Sequence, residues 1–262
     1  MLDVDAQPVA WREEGTGSNV ALFLHGLGGS RIAWEPQLRS LSTQRRAIAW
    51  DCPGYGASQP IAEPTFSAYA DAAGALIDEL SPDAPVDLVG MSFGGMIAQV
   101  TAFRFPERIR SLTLLCTSPK FGLDGTDPDQ WRNARLSALE TSGSPAAAAP
   151  AIIGSLIAPG NEHVIPEAVA AMQRVPVAGL MDTLRTIVHH DTRTILPSIQ
   201  TPMLVLVGSL DEETPPAYGQ AIVDLAPNAR LEVIPGAGHV LNLEAPTAVN
   251  EAIAHHWSRV KA

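Results

Sequence analysis

The sequence predicts an α/β chain: a mostly parallel, doubly wound sheet with a helical segment inserted late in it. Three observations carry that expectation. Short apolar runs alternate with stretches of helical periodicity along most of the chain, the order that builds a parallel sheet. Residues 119–201 break the alternation, with several helix-like pieces and no convincing strand. Finally, Gly90-Met91-Ser92-Phe93-Gly94-Gly95 sets a serine on a glycine-flanked turn between an apolar run and a helical stretch.

Strands are expected at residues 8–14, 20–25, 46–50, 86–90, 109–116, 203–208 and 231–234, short runs with helical stretches between most of them. Helices are expected between them at 66–80, 93–105, 216–225 and 245–260. Within the strand-free stretch the helical pieces are 130–141, 146–156, 166–173 and 177–189, separated by Gly and Pro. The four alanines at 146–149 read as helix formers, not as low complexity. Together these give a core of residues 1–118 and 202–262 and an inserted helical cap of residues 119–201. No internal repeat is found.

With 262 residues, 46% of them hydrophobic, the chain can bury one large core. A formal charge of −11 and the absence of any Lys/Arg block argue against nucleic acid or an anionic membrane as partner. The start Met1-Leu2-Asp3-Val4-Asp5 lacks a basic segment followed by an apolar one, and no apolar run reaches membrane-spanning length. A soluble, cytoplasmic protein acting on a small molecule is therefore expected, its oligomeric state left open. Cys52 and Cys116 lack metal-site or redox spacing and read as free, semi-buried thiols.

A serine hydroxyl is a weak nucleophile at neutral pH and needs a base, which needs an orienting acid. Ser92 has candidates for both downstream. Asp211 follows the apolar run 203–207 and the turn Gly208-Ser209-Leu210, with Glu212 and Glu213 as competitors for the same role. His239 stands in the loop after the run 231–234, behind Pro235-Gly236-Ala237-Gly238. All three leave the carboxyl ends of expected parallel strands, where open α/β sheets place their ligands. An acyl-transfer oxyanion needs preplaced donors, and the backbone N–H groups of Leu27 and Phe93 are the candidates, with Gly26, Gly28 and Gly29 permitting close approach. His25 reads as a structural residue fixing that loop. His189-His190-Asp191 has metal-like letters, but neighbours on a helix point apart. His255 and His256 read as solvated, near the end of the last helix.

The pieces HGLGGS (from His25), DCPGYGAS (from Asp51), GMSFGG (from Gly90), GSLDEETPP (from Gly208) and GAGHVLNLEAP (from Gly236) stand in one order along nearly the whole chain. In this the chain resembles the α/β-hydrolase superfamily. The resemblance implies the α/β-hydrolase fold, about eight strands with the second antiparallel, a Ser92–His239–Asp211 triad and acyl-enzyme chemistry without metal or organic cofactor. Its G-x-x-D pattern favours Asp211 over Glu212 and Glu213, and a serine at position 92 disfavours the aspartate-nucleophile branches. HGLGGS-x-x-x-W-x-P-Q, GMSFGG, the segment from Cys116 to Gly122 and GHVLNLEAP are most similar to 3-oxoadipate enol-lactonases of aromatic catabolism, which open a small carboxylated lactone. A carbon–carbon hydrolase of ring-cleavage products, a general carboxylesterase and a low-turnover small-molecule sensor are the alternatives. Trp131, Arg132 and Arg135 on the first cap helix either roof the pocket and meet an anionic substrate or form a solvated face, and the solvated face is favoured.

Overall fold

Eight strands hydrogen-bond into one sheet: β1 (Leu2–Val4), β2 (Trp11–Glu14), β3 (Val20–Leu24), β4 (Arg46–Trp50), β5 (Val86–Met91), β6 (Ile109–Leu115), β7 (Met203–Gly208) and β8 (Ala229–Ile234). The computed structural model describes residues 1–5 and 8–260. The order across the sheet is β1-β2-β4-β3-β5-β6-β7-β8. Strand β2 runs antiparallel to both its neighbours, and every pairing from β4 to β8 is parallel. Strands β3, β5 and β7 are buried along their whole length, which is why each is an almost unbroken apolar run instead of an alternating one.

Ten α-helices accompany the sheet among the described residues: α1 (Glu35–Leu41), α2 (Phe66–Leu80), α3 (Phe93–Arg104), α4 (Pro128–Ser142), α5 (Pro145–Leu156), α6 (Ile165–Met172), α7 (Val177–Ile187), α8 (Pro216–Leu225), α9 (Leu241–Glu244) and α10 (Pro246–Arg259). In α2 the residues Tyr69, Ala73, Leu76, Ile77 and Leu80 fall on one buried face, and Thr65 caps the helix by accepting from the Ala68 amide at 3.1 Å. Helices α4 to α7 all lie between β6 and β7, in the strand-free stretch.

The structure corrects several boundaries for identifiable reasons. Helix α4 starts two residues before the expected 130 and α5 one before 146, because Asp127 and Ser144 cap them and Pro128 and Pro145 occupy the first helical positions. Helix α7 stops at Ile187, not 189. The expected final helix at 245–260 is α10, and the short α9 before it is a separate helix, since the backbone at Ala245 (φ −135°, ψ 55°) leaves the helical region between them. Strand β1, mostly exposed, and the seven-residue helix α1 carry too little periodicity to be read from the sequence. Both cysteines are fully buried instead of half-buried. His256 is buried as well, its pKa pushed down to about 4 by burial and then by Arg230, so it is no solvated cation.

Helix α3 sets the position of everything around Ser92, and two glycines let it lie so close to the sheet. A Cβ on Gly94 would penetrate the carbonyl oxygen of Leu24 at the end of β3, and one on Gly90 would meet the backbone of Gly94 and Gly95. Gly94→Ala should therefore push α3 off the sheet, costing about 1–3 kcal/mol. A thermal melt checks this, and an unchanged melting temperature would show that the contact yields freely.

Candidate active site

Ser92 lies between the end of β5 and the first residue of α3, and its backbone has φ 50° and ψ −118°. Non-glycine residues rarely hold such a conformation without support from their surroundings. That support is visible. The Ser92 amide donates to the Leu115 carbonyl at 2.8 Å, and the Ser92 carbonyl accepts from Met96 N at 3.0 Å and from Thr117 Oγ1 at 2.8 Å. The turn turns the side chain toward a cavity, and the Phe93 amide, first in its helix, has no partner within the helix.

His239 Nε2 lies 3.1 Å from Ser92 Oγ, and His239 Nδ1 lies 3.0 and 3.1 Å from the two Asp211 carboxylate oxygens. With its Nδ1 proton held by the carboxylate, the imidazole presents Nε2 as the acceptor for the serine hydroxyl. Asp211 is oriented in turn. Its Oδ1 accepts from the amides of Glu213 (3.0 Å) and Thr214 (2.9 Å), and its Oδ2 accepts from Thr214 Oγ1 (2.8 Å). Of the three acids competing at this turn, the structure brings Asp211 to the histidine. Glu213 lies on the cavity wall instead.

The electrostatics follow from burial opposed by charge. Burial alone would lower the His239 pKa, but the Asp211 carboxylate, by charge and hydrogen bond, raises it above the ordinary value, with Glu213 and Glu244 adding to the effect. Burial would raise the Asp211 pKa, but the His239 charge and hydrogen bond and the Thr214 bonds bring it below the usual carboxylate range.

The loop after β3 lies directly against the serine: a Cβ on Gly26 would stand 3.2 Å from Ser92 Cβ. His25 anchors this loop. Its Nε2 accepts from the Cys52 amide at 3.0 Å, so Nδ1 carries the proton and donates to the Gly26 carbonyl at 2.9 Å. Burial, the largest influence on it, lowers its pKa, and the ring stacks on Tyr55. The structural reading of His25 fits this arrangement. Gly28 and Leu27 of the same loop line the cavity beside Ser92.

The cavity has a volume of about 400 Å³. Its wall is largely apolar, with Met91 from the sheet and Trp131, Leu139, Met172 and Leu184 from the helices between β6 and β7. Among the described residues the charged side chains on that wall are Arg135 and Glu213, which approach within 3.9 Å of each other. Arg135 also lies over the Trp131 ring, 4.7 Å from its centre. Arg132 is not part of the wall and pairs with Asp129 one turn away at 2.8 Å. The sequence grouping of Trp131, Arg132 and Arg135 thus divides: two residues reach the cavity and one belongs to the helix surface.

Cys116, Asp211 and His239 hold their donor atoms within 4.8 Å of one another. This set does not suit a metal. Asp211 is already committed to four donors, one of them His239 Nδ1, so two of the three groups are engaged with each other. His190, in the other metal-like cluster, is buried with Nε2 on the Ser118 carbonyl, while Asp191 pairs with Arg193.

The model of the alpha/beta hydrolase family matches residues 21–252, a span that runs from the second residue of β3 to the middle of α10 and takes in all the residues above. The chain belongs to the alpha/beta hydrolase family. It is 30% identical over 262 residues to a pimeloyl-[acyl-carrier protein] methyl ester esterase of Chromobacterium violaceum, covering 92% of this chain and 95% of that one. It is 28% identical over 238 residues to 3-oxoadipate enol-lactonase 2 of Acinetobacter baylyi, covering 88% and 86%. It is also 31% identical over 250 residues to polyketide synthase ThaQ of Burkholderia thailandensis, where 91% of this chain corresponds to 12% of that much longer protein. Among solved structures, a hydrolase from Pseudomonas aeruginosa PA01 superposes with a TM-score of 0.86 at 25% identity, covering 98% and 97% of the two chains. The family is one of hydrolytic enzymes, and this chain is an alpha/beta hydrolase. Among the described residues no helix is long and apolar enough to cross a membrane.

Sequence reasoning missed Thr214, whose hydroxyl donates to Asp211, and Glu244, whose carboxylate accepts from the amides on either side of His239. The signal for Glu244 was present, since it lies inside the GHVLNLEAP motif that singled out His239. Glycine adopts the Ser92 conformation without penalty, so Ser92→Gly should be more stable than Ser92→Ala by about 1 kcal/mol. Urea unfolding of the two variants measures this, and equal stability would show that the turn holds no strain.

Proposed function

We propose that this enzyme hydrolyses the ester or lactone bond of a small, largely apolar substrate through an acyl-enzyme on Ser92. The observation that carries the reading is the unbroken hydrogen-bonded chain from Asp211 through His239 to Ser92, opening on an apolar cavity. As Ser92 Oγ attacks the carbonyl carbon, its proton passes to His239 Nε2, and Asp211 stabilises the imidazolium. The carbonyl oxygen becomes an oxyanion, received by the amides of Leu27 and Phe93. Collapse of the intermediate breaks the bond to the leaving oxygen, which takes the proton from His239. Water then attacks the acyl-enzyme, gives a proton to the same nitrogen and releases the acid, while Ser92 recovers its proton. Residues 119–201 act in this reading as a cap over a core of 1–118 and 202–262, and no step uses a metal or an organic cofactor.

A second reading narrows the substrate to a carboxylated enol-lactone of the 3-oxoadipate type. Two observations favour it: the enol-lactonase of similar length among the relatives, and Arg135 on the cavity wall. It requires Arg135 to leave Glu213 and form a charge-assisted pair with the substrate carboxylate.

Ser92→Ala should abolish covalent labelling by a fluorophosphonate, and Asp211→Asn should cut kcat by about 10⁴-fold, because the amide favours the wrong imidazole tautomer. Glu213→Gln in place of Asp211→Asn producing that loss would move the orienting acid. Only neutral His239 can take the serine proton, and its pKa is raised, so the acid limb of kcat/KM should lie above about pH 6.5. A limb well below that value would contradict the pairing with Asp211. Single acylation followed by stalling on every ester tried would indicate a sensor, not a catalyst.

Arg135→Met separates the two substrate readings. With p-nitrophenyl butyrate and the p-nitrophenyl monoester of glutaric acid as probes, the apolar reading expects similar KM values before and after the change. The carboxylated-lactone reading expects KM to rise roughly tenfold for the charged ester alone, the equivalent of about 1.4 kcal/mol.

A further inference from the structure

Glu244, at the end of α9, is buried and is not ion-paired with any cation among the described residues. A lone buried carboxylate is costly unless its oxygens are fully hydrogen-bonded. Here they are. Oε2 accepts from Gly238 N at 2.9 Å, Ala158 N at 2.9 Å and Asn161 Nδ2 at 3.0 Å, and Oε1 accepts from Val240 N at 3.0 Å. Four N–H groups converge on the carboxylate and none of its partners is an acceptor, so both oxygens serve as hydrogen-bond acceptors. A glutamine would turn its own N–H₂ toward a donor.

The donors come from two places. Gly238 and Val240 are the residues on either side of His239. Ala158 and Asn161 belong to the segment after α5, between β6 and β7. The same two segments touch elsewhere: the His239 amide donates to the Leu156 carbonyl at 3.0 Å, and Asn161 Nδ2 donates to the Gly236 carbonyl at 2.9 Å. Gly238 has no room for a side chain, because a Cβ there would stand 2.8 Å from Ala158 N and 2.9 Å from Leu156 O. The loop that carries His239 is thus fixed against residues 156–161, and the Glu244 carboxylate accepts hydrogen bonds from both.

We propose that Glu244 is a positioning residue for His239: its carboxylate fixes the backbone on both sides of the imidazole and ties that loop to residues 156–161 of the helical segment. The proposal rests on the reading of His239 as the base that activates Ser92. Displacing that base by a fraction of an ångström lowers kcat with little effect on how a substrate fills the apolar cavity. The charge has a second consequence. The groups facing His239 are Asp211 and Glu213 from the loop after β7, Cys116 from the end of β6, Ser92 from the end of β5 and Glu244 itself. The three carboxylates raise the histidine pKa, whereas Cys116 is held as a neutral thiol, so removing the Glu244 charge lowers the histidine pKa.

The test uses the full chain with p-nitrophenyl butyrate, and active sites are counted by fluorophosphonate titration. In Glu244→Gln, kcat per titrated site should fall roughly tenfold to a hundredfold, KM should change less than about twofold, and the acid limb of kcat/KM should move to lower pH. Glu244→Asp keeps the charge but is too short to reach both segments, so it should lose kcat while leaving the acid limb in place. A merely structural Glu244 would lower the melting temperature and the fraction of titratable sites, while each surviving site kept wild-type kcat and pH limb. That result overturns the proposal. Should Glu244→Gln fail to fold, Glu244→Asp serves in its place, and a kcat per site equal to wild type in that variant would overturn the proposal equally. If Ser92→Ala still reacts with the fluorophosphonate, the underlying triad reading has failed instead, and the two failures are told apart.

Discussion

The backbone conformation of one residue governs the geometry of the candidate site. Ser92 can hold a positive φ only because α3 begins immediately after it and is pressed against β3 and β5 without room to relax. Gly90 and Gly94 make that approach possible, and the hydrogen bonds from Ser92 to Leu115, Met96 and Thr117 keep the turn from unwinding. The result is a hydroxyl that projects from the carboxyl edge of the sheet beside the first amide of a buried helix. Once it is there, the histidine and the acid need only emerge from later strands of the same parallel sheet.

The two edges of that sheet treat buried carboxylates differently, and the difference has a functional consequence. At the start of β5, Asp87 is paired with arginines: Arg45 Nε and Arg110 Nη2 each reach its Oδ2 at 2.7 Å, and Ser111 donates at the same distance. Burial would raise its pKa, but these bonds to Arg110 and Arg45 lower it. At the opposite edge, Asp211 and Glu244 are satisfied chiefly by N–H and hydroxyl groups, with no lysine or arginine among their described partners. Amides satisfy lone pairs without cancelling charge. The field of both carboxylates therefore remains to act on His239 and raises its pKa, which in the proposed reaction favours the imidazolium.

Much of this was legible in the sequence because the site lies where regular elements end. Apolar runs locate the strands, a glycine cluster marks a turn that only a close approach explains, and Ser92, Asp211 and His239 each follow such a run. Other features depend on contacts between residues far apart in sequence, which no local pattern encodes. Glu244 reaches Ala158 and Asn161, His25 reaches Cys52, and neither link has a spacing to read. Arg132 and Arg135 share one helix, yet an intrahelical partner holds the first at the surface while an aromatic ring and Glu213 place the second on the cavity wall. The burial of His256 was unreadable for the same reason, since it depends on what packs against the end of α10. Strand β1 was missed because it is short and exposed.

The central claim is that a covalent acyl group passes through Ser92, and rapid quenching tests it most directly. Mixing the protein with excess p-nitrophenyl butyrate, quenching in acid on the millisecond scale and mapping peptides by mass should reveal a butyryl increment on the peptide containing Ser92. The adduct should form with the burst of nitrophenolate and decay at the turnover rate. Steady turnover with that peptide unmodified at every time point, or with the increment on another residue, would contradict the account.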